Sequence, residues 1–188
     1  MLRNVEPIRW LVALALVALP LAWWFWRESR ERDPAVLWPR LAPGLGLAYS
    51  GPPPALNGDW NGRPASLLIE GGRVVASARH APAHRVRLEV GDRSSVEREA
   101  GMVVPDRVEF PEDREFSAAF LVRAAPEDFG RLVFDPAVRA RLLTLQGVHL
   151  LASGGRVDVS LAEVRREDQL RDLLDLAVAV ADAAEHSA

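Results

Sequence analysis

The chain has 188 residues, a formal net charge of −3 and no cysteine; that length suits one domain, and the missing thiols exclude disulfides, cysteine nucleophiles and thiolate metal sites. All 23 basic residues are arginine, so a Walker lysine, a Schiff-base lysine and a lysine general base are excluded as well. Residues 1–26 carry Arg3, Arg9 and Glu6, which leaves about −4 for residues 27–188; a mildly acidic surface with scattered arginines is not a footprint for nucleic acid.

From Trp10 to Trp26 the chain runs 17 residues without a charge, about 25 Å as a helix, slightly short of a ~30 Å hydrocarbon core. Arg9 and Arg27 bracket this run and can snorkel outward. Trp10 at one end and Trp23, Trp24 and Trp26 at the other suit the headgroup interface. Pro20 is tolerable in lipid. The pattern predicts a transmembrane helix over residues 10–26, after a short tail (1–9) and before a charged tether (27–33). A cleaved signal peptide would need small residues where the four bulky aromatics stand, and a core helix would be apolar on one stripe rather than all round. The lipid bilayer is thus one expected partner and the bacterial inner membrane the expected location. Arg27, Arg30, Arg32 and Arg40 after the helix outnumber Arg3 and Arg9 before it, so the positive-inside rule favours a cytoplasmic domain.

Residues 34–188 read as an α+β domain. Asp33-Pro34 marks a helix start, with Leu37, Trp38 and Leu41 on one side and an end near Pro43-Gly44. Trp38 and Leu41 are expected in the core, with the bilayer surface as the other option. A short strand over 45–49 precedes a Pro-rich stretch, Ser50 to Pro54. Asn57-Gly58, Asn61-Gly62 and Gly71-Gly72 are hairpin-turn signals. Strands are expected over Ala65–Ile69, Arg73–Arg79 and Arg85–Val90, the last alternating polar and apolar. Phe116 to Val122 reads as another strand, with Phe116, Phe120 and Val122 on one face. Helix starts follow at Glu127-Asp128 and Asp135-Pro136, the second helix carrying Val138, Leu142 and Leu145. A hairpin joins Val148–Ala152 to Val157–Leu161 through Ser153-Gly154-Gly155. The chain closes with an amphipathic helix, about Arg166 to Ala184, whose stripe is Leu170, Leu173, Leu174, Ala177, Val178 and Ala181. Central strands with helices mostly after them predict a mainly antiparallel sheet with packed helices.

No motif points to a catalytic residue, a cofactor or a metal. His80 and His84 would suit a metal at four-residue spacing only on a helix, and Pro82 between them opposes that. Asp106, Glu109, Glu112, Asp113 and Glu115 lack the ligand order of a calcium loop and are interrupted by Arg107 and Arg114. Gly44-Leu45-Gly46 and Gly71-Gly72 do not open helices after strands, as a phosphate cradle would. Ser66, Ser77, Ser94 and Ser95 have no nucleophile-elbow context, and His149 falls inside a strand.

Glu115-Phe116, Phe120-Leu121-Val122, Ala125-Pro126, Arg131-Leu132, Asp135-Pro136 and Leu142-Leu143 follow one another in an order that resembles a pattern in uncharacterised bacterial membrane-anchored proteins carrying a domain of unknown function. The resemblance covers about residues 115–143 and the anchor-then-domain layout. It implies a fold, an aromatic strand followed by helices, and transfers no functional residue. The expectation is a protein-binding or scaffold module, not an enzyme, with an envelope or membrane protein as partner. The alternative is a membrane-tethered enzyme or small-ligand sensor whose site is assembled from distant strands.

Overall fold

The computed structural model describes residues 5–31, 33–81, 86–92, 107–162, 164 and 166–186; within the first helix, side chains are described for residues 14–27 and 30. That helix, α1 (Val5–Glu31), takes in residues 27–31 of the charged stretch read as a tether and carries Pro20 inside it. Among the described residues no helix is long and apolar enough to cross a membrane, which corrects the expectation of a transmembrane helix. The described uncharged run in α1 extends from Leu14 to Trp26, about 20 Å at 1.5 Å per residue against ~30 Å of hydrocarbon. Three of its last four residues are tryptophans, which favour an interface over hydrocarbon. Arg9 and Trp10, the N-terminal bracket of the spanning reading, lie outside the described side chains.

Helix α2 (Pro34–Leu45) begins where Asp33 accepts a hydrogen bond from the Ala35 amide at 2.9 Å, and ends at Gly46 in the left-handed region. It buries Trp38, Ala42 and Leu45, so Trp38 is a core residue as expected, and Leu41 packs partly buried beside it. Strands β1 (Ala48–Ser50), β2 (Ala55–Trp60), β3 (Arg63–Glu70) and β4 (Arg73–Arg79) form an antiparallel meander. The Asn61-Gly62 turn, with φ of 54° and 82°, has the doubly positive φ that matches strand twist in two-residue hairpins. Asn57-Gly58 is not a turn. Both residues stay extended in the middle of β2, paired with Ser66 and Ala65, because the turn two residues later fixes the register.

Strand β5 (Arg87–Asp92) and the two-residue β6 (Arg107–Val108) flank β7 (Phe120–Ala125). The segment expected to be strand from Phe116 is instead α3 (Arg114–Ala119). Asp113 caps it by accepting from the Phe116 amide at 3.0 Å, and Ser117 Oγ donates to the Phe110 carbonyl at 2.8 Å. Phe116 and Phe120 meet with ring centroids 5.3 Å apart, as one helical turn brings them together. Helices α4 (Glu127–Val133) and α5 (Pro136–Thr144) follow; Asp135 caps the latter by accepting from the Val138 amide at 2.8 Å. Hairpin β8 (Val148–Ser153) and β9 (Arg156–Leu161) leads to the closing helix α6 (Glu167–His186).

The nine strands among the described residues join one antiparallel sheet in the order β1-β2-β3-β4-β9-β8-β5-β7-β6. The last hairpin wedges between β4 and β5, uniting the early meander with the later strands. Helix α6 lies across β3, β4 and β9, and α4 across β7 and β6. The alternation of strand side chains then separates two faces. The cross-sheet row Leu67, Ala76, Val159, Leu150, Val90, Val122 and Val108 is buried under the helices. The adjacent row Ser66, Ser77, Asp158, Leu151, Glu89, Arg123 and Arg107 faces the other way, with no helix over it among the described residues.

Candidate functional site

Among the described side chains, the residues singled out as an anchor line neither of two depressions in the fold. Trp23, Trp24 and Trp26 are 58%, 54% and 56% exposed. Arg27 lies over the Trp23 ring at 5.7 Å and Arg30 over Trp26 at 4.4 Å, contacts to one face of each indole that leave both tryptophans more than half exposed.

The acidic group divides between pairing and solvent. Arg139, buried on α5, holds Glu112 at 2.6 Å, lies 3.0 Å from Asp113 and stacks over Phe110 at 5.0 Å. The Glu112 carboxyl sits below the usual range, first through its own backbone amide and then through Arg139. Glu109 is 3.7 Å from Arg107, and Asp106 lies outside the described residues. Among the described residues no three metal-ligating side chains converge. His80 is buried: its amide donates to Gly155, Nδ1 is 3.1 Å from the Ala81 carbonyl and Nε2 has no partner among the described residues. Its proposed companion His84 lies outside them, as do Ser94 and Ser95.

On the open sheet face, His149 Nε2 is 3.1 Å from Glu89 Oε1. Ser160, its cross-strand neighbour, donates to the His149 backbone carbonyl at 3.4 Å and accepts from Arg73 Nε at 3.0 Å. The hydroxyl proton points away from the imidazole and a cation lies on the oxygen, an arrangement that disfavours a serine nucleophile. Beside this row a depression of about 440 Å³ opens over β2, β3, β4 and β9, lined by Asn57, Ser66, Leu68, Ser77, Arg79 and Arg156 among others. Ser77 Oγ donates to Asp158, while Arg156 holds Asp158 at 2.6 Å and Ser77 at 3.1 Å.

The polar edge of α6 carries contacts that sequence reading passed over. Asp175 accepts from Trp60 Nε1 at 2.8 Å and from Asn61 at 3.2 Å, which fixes the β2–β3 turn to the helix. Arg63 binds Asp182 through Nε at 2.9 Å and Glu185 through Nη1 and Nη2 at 3.0 and 2.8 Å, and Ala81 donates its amide to Glu185. The Arg63 hydrogen bond, followed by the Ala81 amide, brings the Glu185 carboxyl from 4.5 down to about 2. Arg63 is correspondingly raised, chiefly by Glu185 and against the cost of its own burial.

No family model matches the chain, and no curated protein matches it. A solved structure does: the crystal structure of the mycobacterial trehalose monomycolate transport factor A, TtfA, superposes with a TM-score of 0.51 over 77% of this chain and 90% of that one, at 11% identity. The likeness is one of fold. It covers most of both chains, so the α+β arrangement of a large sheet with packed helices is shared between them, and no residue of that protein is carried over to this one.

Proposed function

We propose that this chain is a non-catalytic binding or scaffold module of the bacterial envelope, resting on the inner-membrane surface through α1 without crossing it, with its open sheet face turned to a protein partner. The observation that carries the reading is the apolar run of α1. Every large apolar side chain described from Leu14 to Trp26 is more than half exposed, a contiguous surface of the kind that marks a membrane or protein contact. Arginines at 27, 30 and 40 follow that run and suit the anionic cytoplasmic leaflet. The open sheet face supports the binding half: His149, Glu89, Ser77, Ser160 and Asp158 are tied to one another or to arginines, which favours a recognition surface over a reaction centre. The fold shared with a mycobacterial transport factor supports an envelope setting.

Fractionation of cells expressing the full chain tests the membrane half. The wild type is expected in the membrane fraction and floating with it on a density gradient. Replacing Leu16, Leu19 and Trp23 together by glutamate is expected to release the protein, since each charge opposes burial of the helix in an apolar environment. A wild-type chain recovered in the soluble fraction would contradict the reading.

A further inference from the structure

We propose that the depression over β2, β3, β4 and β9 is a binding site for a phosphate-class oxyanion, with Arg79 and Arg156 as its cationic jaws. The depression is about 440 Å³, in the range of small-molecule sites. Its lining holds two guanidinium groups, the hydroxyls of Ser66 and Ser77 and the amide of Asn57; the Asp158 carboxylate stands at its edge and already engages Ser77 and Arg156, which leaves Arg79, Ser66 and Asn57 as the groups open to a ligand.

Register supplies the second observation. Arg79 and Arg156 stand directly opposite each other on β4 and β9, and like charges at that position destabilise a sheet unless something lies between them. Asp158 neutralises Arg156 from one side through Nε. The Arg79 guanidinium has no carboxylate partner among the described residues, although the Arg79 backbone carbonyl accepts from Arg63 at 2.7 Å. An oxyanion seated between the two arginines would relieve the repulsion and give Arg79 a charge-assisted partner, with Ser66 and Asn57 as neutral donors to its remaining oxygens. Guanidinium forks match the spacing of phosphate oxygens, and both arginines are on strands paired on either side, which fixes their backbones and leaves only the exposed side chains to be ordered on binding. The group would be a phosphate ester on a soluble molecule or the phosphate of a lipid headgroup.

The full chain in a non-ionic detergent, titrated with inorganic phosphate against chloride at constant ionic strength, tests the site by thermal midpoint and calorimetry. Saturable stabilisation is expected, weakened about tenfold or more in Arg79→Gln, since hydrogen bonds to charged groups are the stronger class. Ser66→Ala, a milder change, is expected to weaken it about threefold; it keeps the question open to test if Arg79→Gln disturbs the fold. Arg131→Gln, which removes the same charge from α4 where Arg131 pairs with Glu127, is expected to bind as the wild type does. Absence of saturation in the wild type, or equal loss in Arg79→Gln and Arg131→Gln, would overturn the proposal. Vesicles of phosphatidylglycerol compared with phosphatidylcholine alone separate the two sources. Extra binding to the anionic vesicles that disappears in Arg79→Gln assigns the site to a lipid headgroup. Vesicle binding indifferent to Arg79→Gln, with the phosphate titration retained in the wild type, assigns it to a soluble phosphate.

Discussion

Arg63 sits where β3 leaves the Asn61-Gly62 turn, yet its partners are on the last helix, 119 and 122 residues away. Because Glu185 falls from 4.5 to about 2 on folding, it contributes stability that is complete above pH ~4.5 and is lost as the pH drops through about 2. Glu185→Gln removes this titration. Its unfolding midpoint is therefore expected to change less between pH 5 and pH 2 than that of the wild type, a comparison that circular dichroism against pH can make; parallel curves would contradict the linkage. Residues of this kind were the least legible in the sequence. Arg63 has no partner near it in the chain, Asp175 and Asp182 lie off the apolar stripe of the closing helix, and nothing around His80 in the sequence marks it as buried. Hydrophobic period says which face of an element is buried, and nothing about which polar groups meet across a hundred residues of chain.

Elements were more legible, because their signals are local. Asp33-Pro34 and Asp135-Pro136 cap helices, the doubly positive turns close hairpins, and the stripe Leu170 to Ala181 is buried throughout. Where local signals competed, the reading failed. Asn57-Gly58 has turn chemistry but lies in β2 under the register set by Asn61-Gly62, and Phe116 has strand character but follows the Asp113 cap into α3. Gly130 shows how an element can be fixed by absence of a side chain: a Cβ there would come within 2.8 Å of the Ala124 Cβ and 3.0 Å of Val108. A glycine inside a helix costs about 1 kcal/mol against alanine, so its presence in α4 points to the close approach of that helix to β6 and β7. Gly130→Ala is expected to lose up to about 2 kcal/mol net, as overpacking of about 1–3 kcal/mol is offset by about 1 kcal/mol of helix propensity. Urea denaturation measures it; a stabilised variant would show that α4 can back away from the sheet.

At the scale of the molecule, α+β with a mainly antiparallel sheet followed from the run of strands and turns, but the strand order did not. The β8–β9 hairpin inserts between β4 and β5, and its own sequence is equally compatible with packing at an edge. The same insertion produces the broad open face, since it carries Asp158, Leu151 and His149 into line with strands from both halves of the chain. A sheet with helices on one side and, among the described residues, a mostly polar row on the other presents a surface more readily than it encloses a reaction. Leu151, at 40% exposure, is the large apolar side chain in that row, and apolar anchors amid a polar rim are where contact energy concentrates. The most direct measurement is photo-cross-linking in cells from a reactive phenylalanine analogue at Leu151, with the same analogue at Leu132, exposed on α4, as the control. Discrete adducts of one mass from position 151 and none from position 132 are expected; no adduct from 151, or the same products from both positions, would contradict the account.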